Sequence, residues 1–269
     1  MHTPSHIVFT AMGLLATIVG PSGAQPAWSP DEMAHFLRTA EVVESDRSTN
    51  GSTSPWRLRL SDGTVTHQAA YQSIDRTLSN VRFPSGRTEL TFVDSYHYNI
   101  AAYELARLLG LGDMVPVTVE RRWNGERGSA SWWVDAEWDD AERRALGLKP
   151  PDARRWNRQM YKMLVFTALV QDTDRNRTNT LISKDWHVWM IDFSRAFRLE
   201  PELPDLEALR RCDPGLLARL RALDRDGISA AVGSHLSALE IDAVLERRDR
   251  LVAHFDALVA EQGAARVLR

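Results

Sequence analysis

The stretch between Gln171 and Phe193 constrains the fold of this chain more than any other feature. It opens with the polar run QDTDRNRTN, directly after a strongly apolar helical segment, and ends at Asp192 after a short apolar strand. Asp174, Asn179 and Asp192 follow one another at intervals of five and thirteen residues. A loop this polar cannot be core, so the apolar segments around it must hold it in a cleft or at the surface.

These residue types suit phosphoryl transfer. A carboxylate orients the attacking hydroxyl and accepts its proton, while an amide oxygen and a second carboxylate hold the magnesium ions that bridge the nucleotide phosphates. Both intervals match a kinase catalytic loop followed by its metal-binding aspartate. The sequence therefore predicts Asp174 as catalytic base and Asn179 and Asp192 as magnesium ligands, with Mg²⁺ and ATP as the cofactors.

The motifs DRNRTN at 174–179 and IDF at 191–193 resemble those of phosphatidylinositol 3- and 4-kinases and related atypical kinases, including bacterial toxin kinases and secretory-pathway kinases. The resemblance covers about residues 40–197. It implies an α+β bilobal protein-kinase-like fold, with a small sheet-rich N-lobe, a mainly helical C-lobe and a nucleotide between them. It also implies that Glu104 is the helix glutamate that pairs with a nucleotide-binding lysine.

Hydrophobic periodicity divides the chain along the same lines. Short extended runs with turns between them fill the first half, with one amphipathic helix predicted from Asp94 to Leu109. Beyond Pro151 the pattern is mainly helical. The predicted units are a signal peptide at 1–24, an N-lobe at 40–136, an inter-lobe linker at 137–150 and a C-lobe at 151–269 with its catalytic loop at 172–179.

One position departs from the kinase pattern. The segment AAYQ at 69–72 stands where kinases carry V-A-I-K, so Gln72 occupies the place of the phosphate-binding lysine. Glutamine donates a hydrogen bond but brings no positive charge. Either an arginine supplies that charge, or the domain is a pseudokinase that binds nucleotide without turnover. The candidate arginines of the N-lobe are Arg57, Arg59, Arg76, Arg82 and Arg87.

Two further interpretations compete with the kinase hypothesis. Asp172-Thr173-Asp174 is a D-x-D sequence, which binds metal in some glycosyltransferases and opens the phosphate site of one phosphatase superfamily. That phosphatase pattern places a threonine two residues after its second aspartate, where this chain has Asn176. The other interpretation is a globular domain whose acidic loop is merely solvated, with Asp172 capping the loop. The acceptor is open among protein, lipid-headgroup and sugar hydroxyls.

The N-terminus and the composition limit where the protein can be located and what it can bind. An apolar run from Ile7 to Gly20 precedes Ser22-Gly23-Ala24, which predicts a cleaved signal peptide and export to the periplasm or outside the cell. The run is shorter than the roughly 20 residues that span a membrane, so no span is expected in the mature chain. A net charge of −3 gives no basis for nucleic-acid binding, and the single cysteine, Cys212, excludes an internal disulfide.

Overall fold

A computed structural model describes residues 28–47, 55–82, 88–172, 175–203 and 206–269. The predicted signal peptide and Asp174 lie outside these residues. None of the helices in the described part of the chain is long and apolar enough to cross a membrane. The first half is rich in strands and the second in helices, which confirms the predicted α+β class.

Among the described residues, the first half contains seven strands. They are β1 (Glu41–Arg47), β2 (Trp56–Ser61), β3 (Thr66–Gln72), β4 (Asp75–Arg82), β5 (Thr88–Ser95), β6 (Thr118–Trp123) and β7 (Glu126–Trp132). Five of them form an antiparallel sheet in the order β1-β2-β3-β7-β6, while β4 and β5 form a separate hairpin. The register places Gln72 opposite Ser129 and Ser129 opposite Glu120, so these three side chains share one face.

The other face of the sheet is apolar and is covered by α1 (Pro30–Thr39). Leu58 and Leu60 are fully buried there, and Phe36 of the helix packs edge-on against Trp132 at 5.9 Å between ring centroids. Burial of each large side chain contributes about 1.5–3 kcal/mol. The sequence prediction missed this helix, although Ser29 and Glu32 form a capping box at its start.

The helix predicted within the first half is α2 (Tyr96–Leu108), and its bounds agree with the prediction to within two residues. Ser95 caps it by accepting a hydrogen bond from the backbone N–H of His97. Gly110 follows its end with a φ of +69°, a left-handed conformation that favours glycine. α2 packs against the polar face of the sheet, on β6 and β7.

The second half contains α3 (Asp140–Ala145), α4 (Ala153–Leu169), α5 (Pro214–Ala222), α6 (Arg225–Val232), α7 (Ala238–Gln262), α8 (Ala264–Val267) and single 3-10 turns at Arg177–Asn179 and Gly233–His235. Three short strands, β8 (Trp138–Asp139), β9 (Thr180–Ile182) and β10 (Val188–Met190), form a sheet in the order β10-β9-β8. The segment predicted as a linker, 137–150, therefore contains β8 and α3. Elements this short carry too little periodicity to be recognised in the sequence.

Cys212 lies between the C-lobe helices and is fully buried. Burial raises the pKa of its thiol to about 12, so the thiolate is absent at neutral pH. This is the environment of a packed small residue and not of a nucleophile.

Candidate active site

The predicted catalytic loop ends in a tight turn built by its own side chains. The Oδ1 atom of Asn176 accepts hydrogen bonds from the backbone N–H groups of Thr178 and Asn179 at 2.9 and 3.2 Å. The 3-10 turn that this creates leads directly into β9. Asn179, at its end, is buried with 8% of its surface exposed. The position of Asn179 is therefore set by local hydrogen bonds together with the strand that follows.

Arg175 joins this turn to the segment that carries Asp192. Its Nη1 atom donates to the backbone oxygens of Asn179 at 2.6 Å and Ile191 at 2.7 Å. The Asn179 oxygen also accepts from the backbone N–H of Ile191 at 3.1 Å. The guanidinium group stacks over the Phe193 ring at 4.4 Å. The structure thus brings the backbone of Asn179 next to Ile191, the residue before Asp192, and Asp174 immediately precedes Arg175.

The first aspartate of the D-x-D sequence has a structural partner. The carboxylate of Asp172 is fully buried and forms an ion pair with Arg175 Nη2. The backbone N–H of Asp172 donates to the Thr167 oxygen at 3.0 Å and extends the end of α4. A carboxylate in this position is not available to an incoming metal ion. This geometry argues against the glycosyltransferase and phosphatase interpretations and supports a loop-positioning role for Asp172.

Asp192 combines a strained backbone with an unusual environment. Its φ is +56°, a left-handed conformation that costs a non-glycine residue roughly 1–3 kcal/mol. The side chain is exposed to solvent, yet protein surrounds it closely enough that burial raises the pKa of the carboxyl group. Hydrogen bonds from Ser194 and the charge of Arg175 act in the opposite direction. A cation bound beside this carboxylate would favour its ionised form.

A chain of amide hydrogen bonds links the same segment to the sheet. The backbone N–H of Phe193 donates to Asn99 Oδ1 at 2.7 Å, and Asn99 Nδ2 donates to Gln72 Oε1 at 2.8 Å. Because the backbone donor is unambiguous, it fixes the orientation of the Asn99 amide and hence that of Gln72. The Gln72 amino group, with two N–H donors, is thereby turned away from Asn99.

Glu104 lies on a different side of α2. It forms an ion pair with Arg107 at 3.1 Å, and it follows Asn99 by five residues, or about 140° around the helix axis. The structure therefore pairs Gln72 with Asn99, where the sequence prediction named Glu104. The missed signal was a single amide in an apolar helical stretch, since Asn99 is flanked by the buried residues Tyr98 and Ile100.

Two of the candidate arginines share the face of Gln72. Arg57 lies opposite Ala70 and Arg59 opposite Gln68, and both of those β3 residues alternate in phase with Gln72. Arg57 stacks over Trp133 at 4.4 Å, while Arg59 forms an ion pair with Glu44. Diagonal neighbours across strands are about 7–8 Å apart, so Arg57 is within reach of a group bound at Gln72. Of the other candidates, Arg76 lies 3.8 Å from Asp94, Arg82 is exposed on β4, and Arg87 is outside the described residues.

A buried arginine of α7 supports two segments of the site: the one that leads into the catalytic loop and the one that follows Asp192. Arg247 has no exposed surface, and its guanidinium donates to the backbone oxygens of Leu169, Arg198 and Glu200 at 2.7 Å each. It also donates to Gln171 Oε1 at 3.1 Å. Leu169 and Gln171 lead into the catalytic loop, while Arg198 and Glu200 follow Asp192. The C-terminal helix is thus part of the framework that positions the site.

Substitutions at Gln72 and Asn99 test whether an ion pair can replace the two neutral amides of the site. Asn99→Asp keeps the acceptor for Phe193 but adds a buried negative charge, and Gln72→Lys adds the matching positive charge. We expect each single variant to lose stability and the double variant to recover part of it, with a coupling free energy of about 1–3 kcal/mol. Urea unfolding of the four proteins measures the coupling. Effects that add to within about 0.5 kcal/mol would show that the two side chains do not interact.

Comparison with solved structures identifies the architecture. The chain is similar to the Golgi casein kinase with Mn and ADP bound, at 13% identity and a TM-score of 0.65, over 89% of this chain and 78% of that chain. It is similar to hydra Fam20 solved with sugar, at 14% identity and a TM-score of 0.64, over 89% of this chain and 91% of that chain. It is also similar to the Helicobacter pylori proinflammatory kinase CtkA, at 10% identity and a TM-score of 0.54, over 87% of this chain and 98% of that chain. A scan against protein-family models found no match, and a search of curated proteins found no significant match. At these identities the likeness shows the fold alone, which is kinase-like.

Proposed function

We propose that this chain is a kinase-like phosphotransferase that moves the γ-phosphoryl group of ATP to a hydroxyl group. The observation that carries the proposal is the exposed carboxylate of Asp192, whose pKa is raised by the protein around it and whose preceding residue, Ile191, is hydrogen-bonded to the backbone of Asn179. Asp174 is assigned as catalytic base, since it precedes Arg175, the residue that joins the loop to the Asp192 segment. Among the solved neighbours, the Golgi casein kinase with Mn and ADP supports a divalent metal with a nucleotide in a fold of this kind.

The donor set fits a magnesium ion. Asn179 and Asp192 offer an amide oxygen and a carboxylate, the oxygen ligands that Mg²⁺ prefers. When bound, the metal ion supplies the positive charge that offsets the charge of the phosphates. Gln72 contributes N–H donors oriented by Asn99, which takes the helix position first assigned to Glu104, and Arg57 is the arginine assigned to the missing lysine charge. In this arrangement the neutral Gln72–Asn99 pair binds the phosphates, and Arg57 supplies the positive charge that the lysine would otherwise provide.

The finer assignments are extensions of the same proposal. The phosphatidylinositol 3- and 4-kinase character of the two motifs makes a lipid headgroup one candidate acceptor, beside protein and sugar hydroxyls. We also propose that residues 1–24 direct export, which would place the enzyme outside the cytoplasm. Determining the N-terminal residue of the protein recovered from the producing cells tests export directly.

Calorimetry and a phosphate-transfer assay with the purified protein test the function. We expect binding of ATP that requires Mg²⁺, together with slow ATP turnover that Asp174→Asn reduces by at least about 100-fold. Binding that persists with no turnover, unchanged in Asp174→Asn, would identify a nucleotide-binding pseudokinase; the neutral Gln72–Asn99 pair favours this second candidate. Absence of any Mg²⁺-dependent nucleotide binding would overturn both.

The raised pKa of Asp192 predicts an unusual pH dependence of nucleotide binding. Only the ionised carboxylate binds the metal ion, so affinity should fall as the pH drops through the raised pKa, where an ordinary aspartate with a pKa near 3.8 is still ionised. Near that pKa, binding should release protons. Calorimetry in buffers with different ionisation enthalpies measures the release, and an Asp192→Asn variant should show none of it.

A further inference from the structure

A second cluster of metal-binding side chains lies outside the proposed nucleotide site. His97 in the first turn of α2, Glu120 in β6 and His235 in the 3-10 turn after α6 bring one ligand atom each to within 4.8 Å of one another. The two Nδ1 atoms of the histidines are 2.8 Å apart. No local spacing in the sequence reveals this cluster, because the two histidines are separated by 138 residues.

We propose that His97, Glu120 and His235 bind a zinc ion. Two imidazole nitrogens and one carboxylate oxygen form a common three-ligand zinc set, with the fourth position left for water. Zn–N bonds of about 2.0–2.1 Å place two tetrahedral ligands roughly 3.3 Å apart. The observed 2.8 Å between the nitrogens needs only small side-chain rotations to reach that spacing. The ion would replace the hydrogen bond that joins the two rings.

The surroundings of the cluster favour metal binding. Tyr96 stacks on the His97 ring with centroids 4.1 Å apart, and the Nε2 atom of His97 lies 4.0 Å from an Asp75 oxygen. A carboxylate beside the non-ligating nitrogen orients a metal-binding histidine and raises its basicity. Burial lowers the pKa of His235, which keeps that ring in the neutral form that binds metal.

Among the described residues, Glu120 forms an ion pair with Arg127, with Nη1 at 3.7 Å from Oε1. That arginine is largely exposed, and exposed ion pairs of this kind are weak. The pair is therefore too weak to withhold the carboxylate from zinc. Nitrogen ligands also separate this site from the proposed magnesium site, because Mg²⁺ takes oxygen ligands.

Zinc at this position would join three elements that are far apart in sequence. It would attach the start of α2 to the sheet and to the turn before α7. Glu120 and Gln72 occupy one face of the sheet two strands apart, or about 10 Å, and Asn99 follows His97 by two residues. The ion would thus hold the first turn of α2 close to the amide chain that reaches Phe193.

Competition with a chromophoric chelator tests the proposal, with tag-free full-length protein and Zn²⁺ alone as the probe. We expect about one equivalent of Zn²⁺ per chain, and at least about 10-fold weaker affinity in His97→Ala, His235→Ala and Glu120→Gln. Glu120→Gln preserves side-chain shape, so it remains informative if a histidine variant fails to fold. The matched control is His254→Ala, a half-buried histidine of α7 bonded to one backbone carbonyl, and it should bind Zn²⁺ like the parent.

Asp192→Asn separates this site from the proposed nucleotide site. Zinc affinity that is unchanged in Asp192→Asn and reduced in the cluster variants supports the assignment. Affinity that is unchanged in Glu120→Gln and the folded histidine variants, or that is lost in Asp192→Asn, overturns it. Because no nucleotide is present, failure of the zinc site and failure of the phosphotransfer proposal give different results.

Discussion

Replacing Asp192 by asparagine is expected to weaken Mg²⁺-dependent nucleotide binding and phosphate transfer by at least about 100-fold. The variant keeps the size of the side chain but removes the negative charge that holds the metal ion. Loss of a residue that supports a metal ligand lowers metal affinity or activity by about 10–100-fold. Loss of a direct ligand should therefore lower both by more. Calorimetric titration with Mg²⁺ and ATP, followed by a turnover assay, measures both effects.

The same substitution should stabilise the protein without ligand. Burial raises the native pKa of Asp192 above its unfolded value of about 3.8, so the folded state disfavours the ionised carboxylate. This penalty is absent below the unfolded pKa, grows as the pH rises through the native pKa, and is constant above it. We therefore expect a higher Tm for Asp192→Asn at pH 7 and no difference near pH 3.

The exposed Asp226 of α6 provides the matched control for both measurements. Asp226→Asn should change Tm little and leave nucleotide binding intact, because surface substitutions usually alter stability by less than about 0.5 kcal/mol. Nucleotide affinity in Asp192→Asn equal to that of Asp226→Asn would remove Asp192 from the metal site.

Arg247→Ala is expected to lower the free energy of unfolding by about 3–5 kcal/mol. The substitution leaves three backbone oxygens without their donor, at Leu169, Arg198 and Glu200, and it opens a cavity in a fully buried place. Burial lowers the pKa of Arg247 to about 10, so the group is still charged at pH 7 and its hydrogen bonds are charge-assisted. Since whole domains have about 5–15 kcal/mol of stability, urea unfolding will resolve this loss.

Arg250→Ala is the control for this prediction, because Arg250 is exposed on the same helix one turn later. Its effect should stay within about 0.5 kcal/mol. Arg247→Lys should give an intermediate loss, since one ammonium group cannot replace a planar guanidinium that reaches three carbonyls. Equal stability of Arg247→Ala and Arg250→Ala would mean that α7 does not support the catalytic segment.

Much of the candidate site could be predicted from local patterns. A cap sets the start of the helix that carries Asn99, and alternation marks the strand that ends at Gln72. Side-chain hydrogen bonds within a few residues set the 3-10 turn before β9. A short hairpin of β9 and β10 separates Asn179 from Asp192, and its pairing brings the backbone of Asn179 to Ile191. The roles of Asp174, Asn179 and Asp192 in phosphoryl transfer stay predictions until the variants are measured.

The sequence by itself determined the α+β class, the helix that carries Asn99 and the segment around Asp192, because these follow from interactions between near neighbours. Only the tertiary structure decided that Gln72 meets Asn99, that His97 meets His235, and that Arg247 reaches the ends of the catalytic segment. Those contacts join residues 27 to 138 positions apart. Their formation depends on how helices and sheet pack around a shared core, and no periodicity or capping pattern in one segment contains that information.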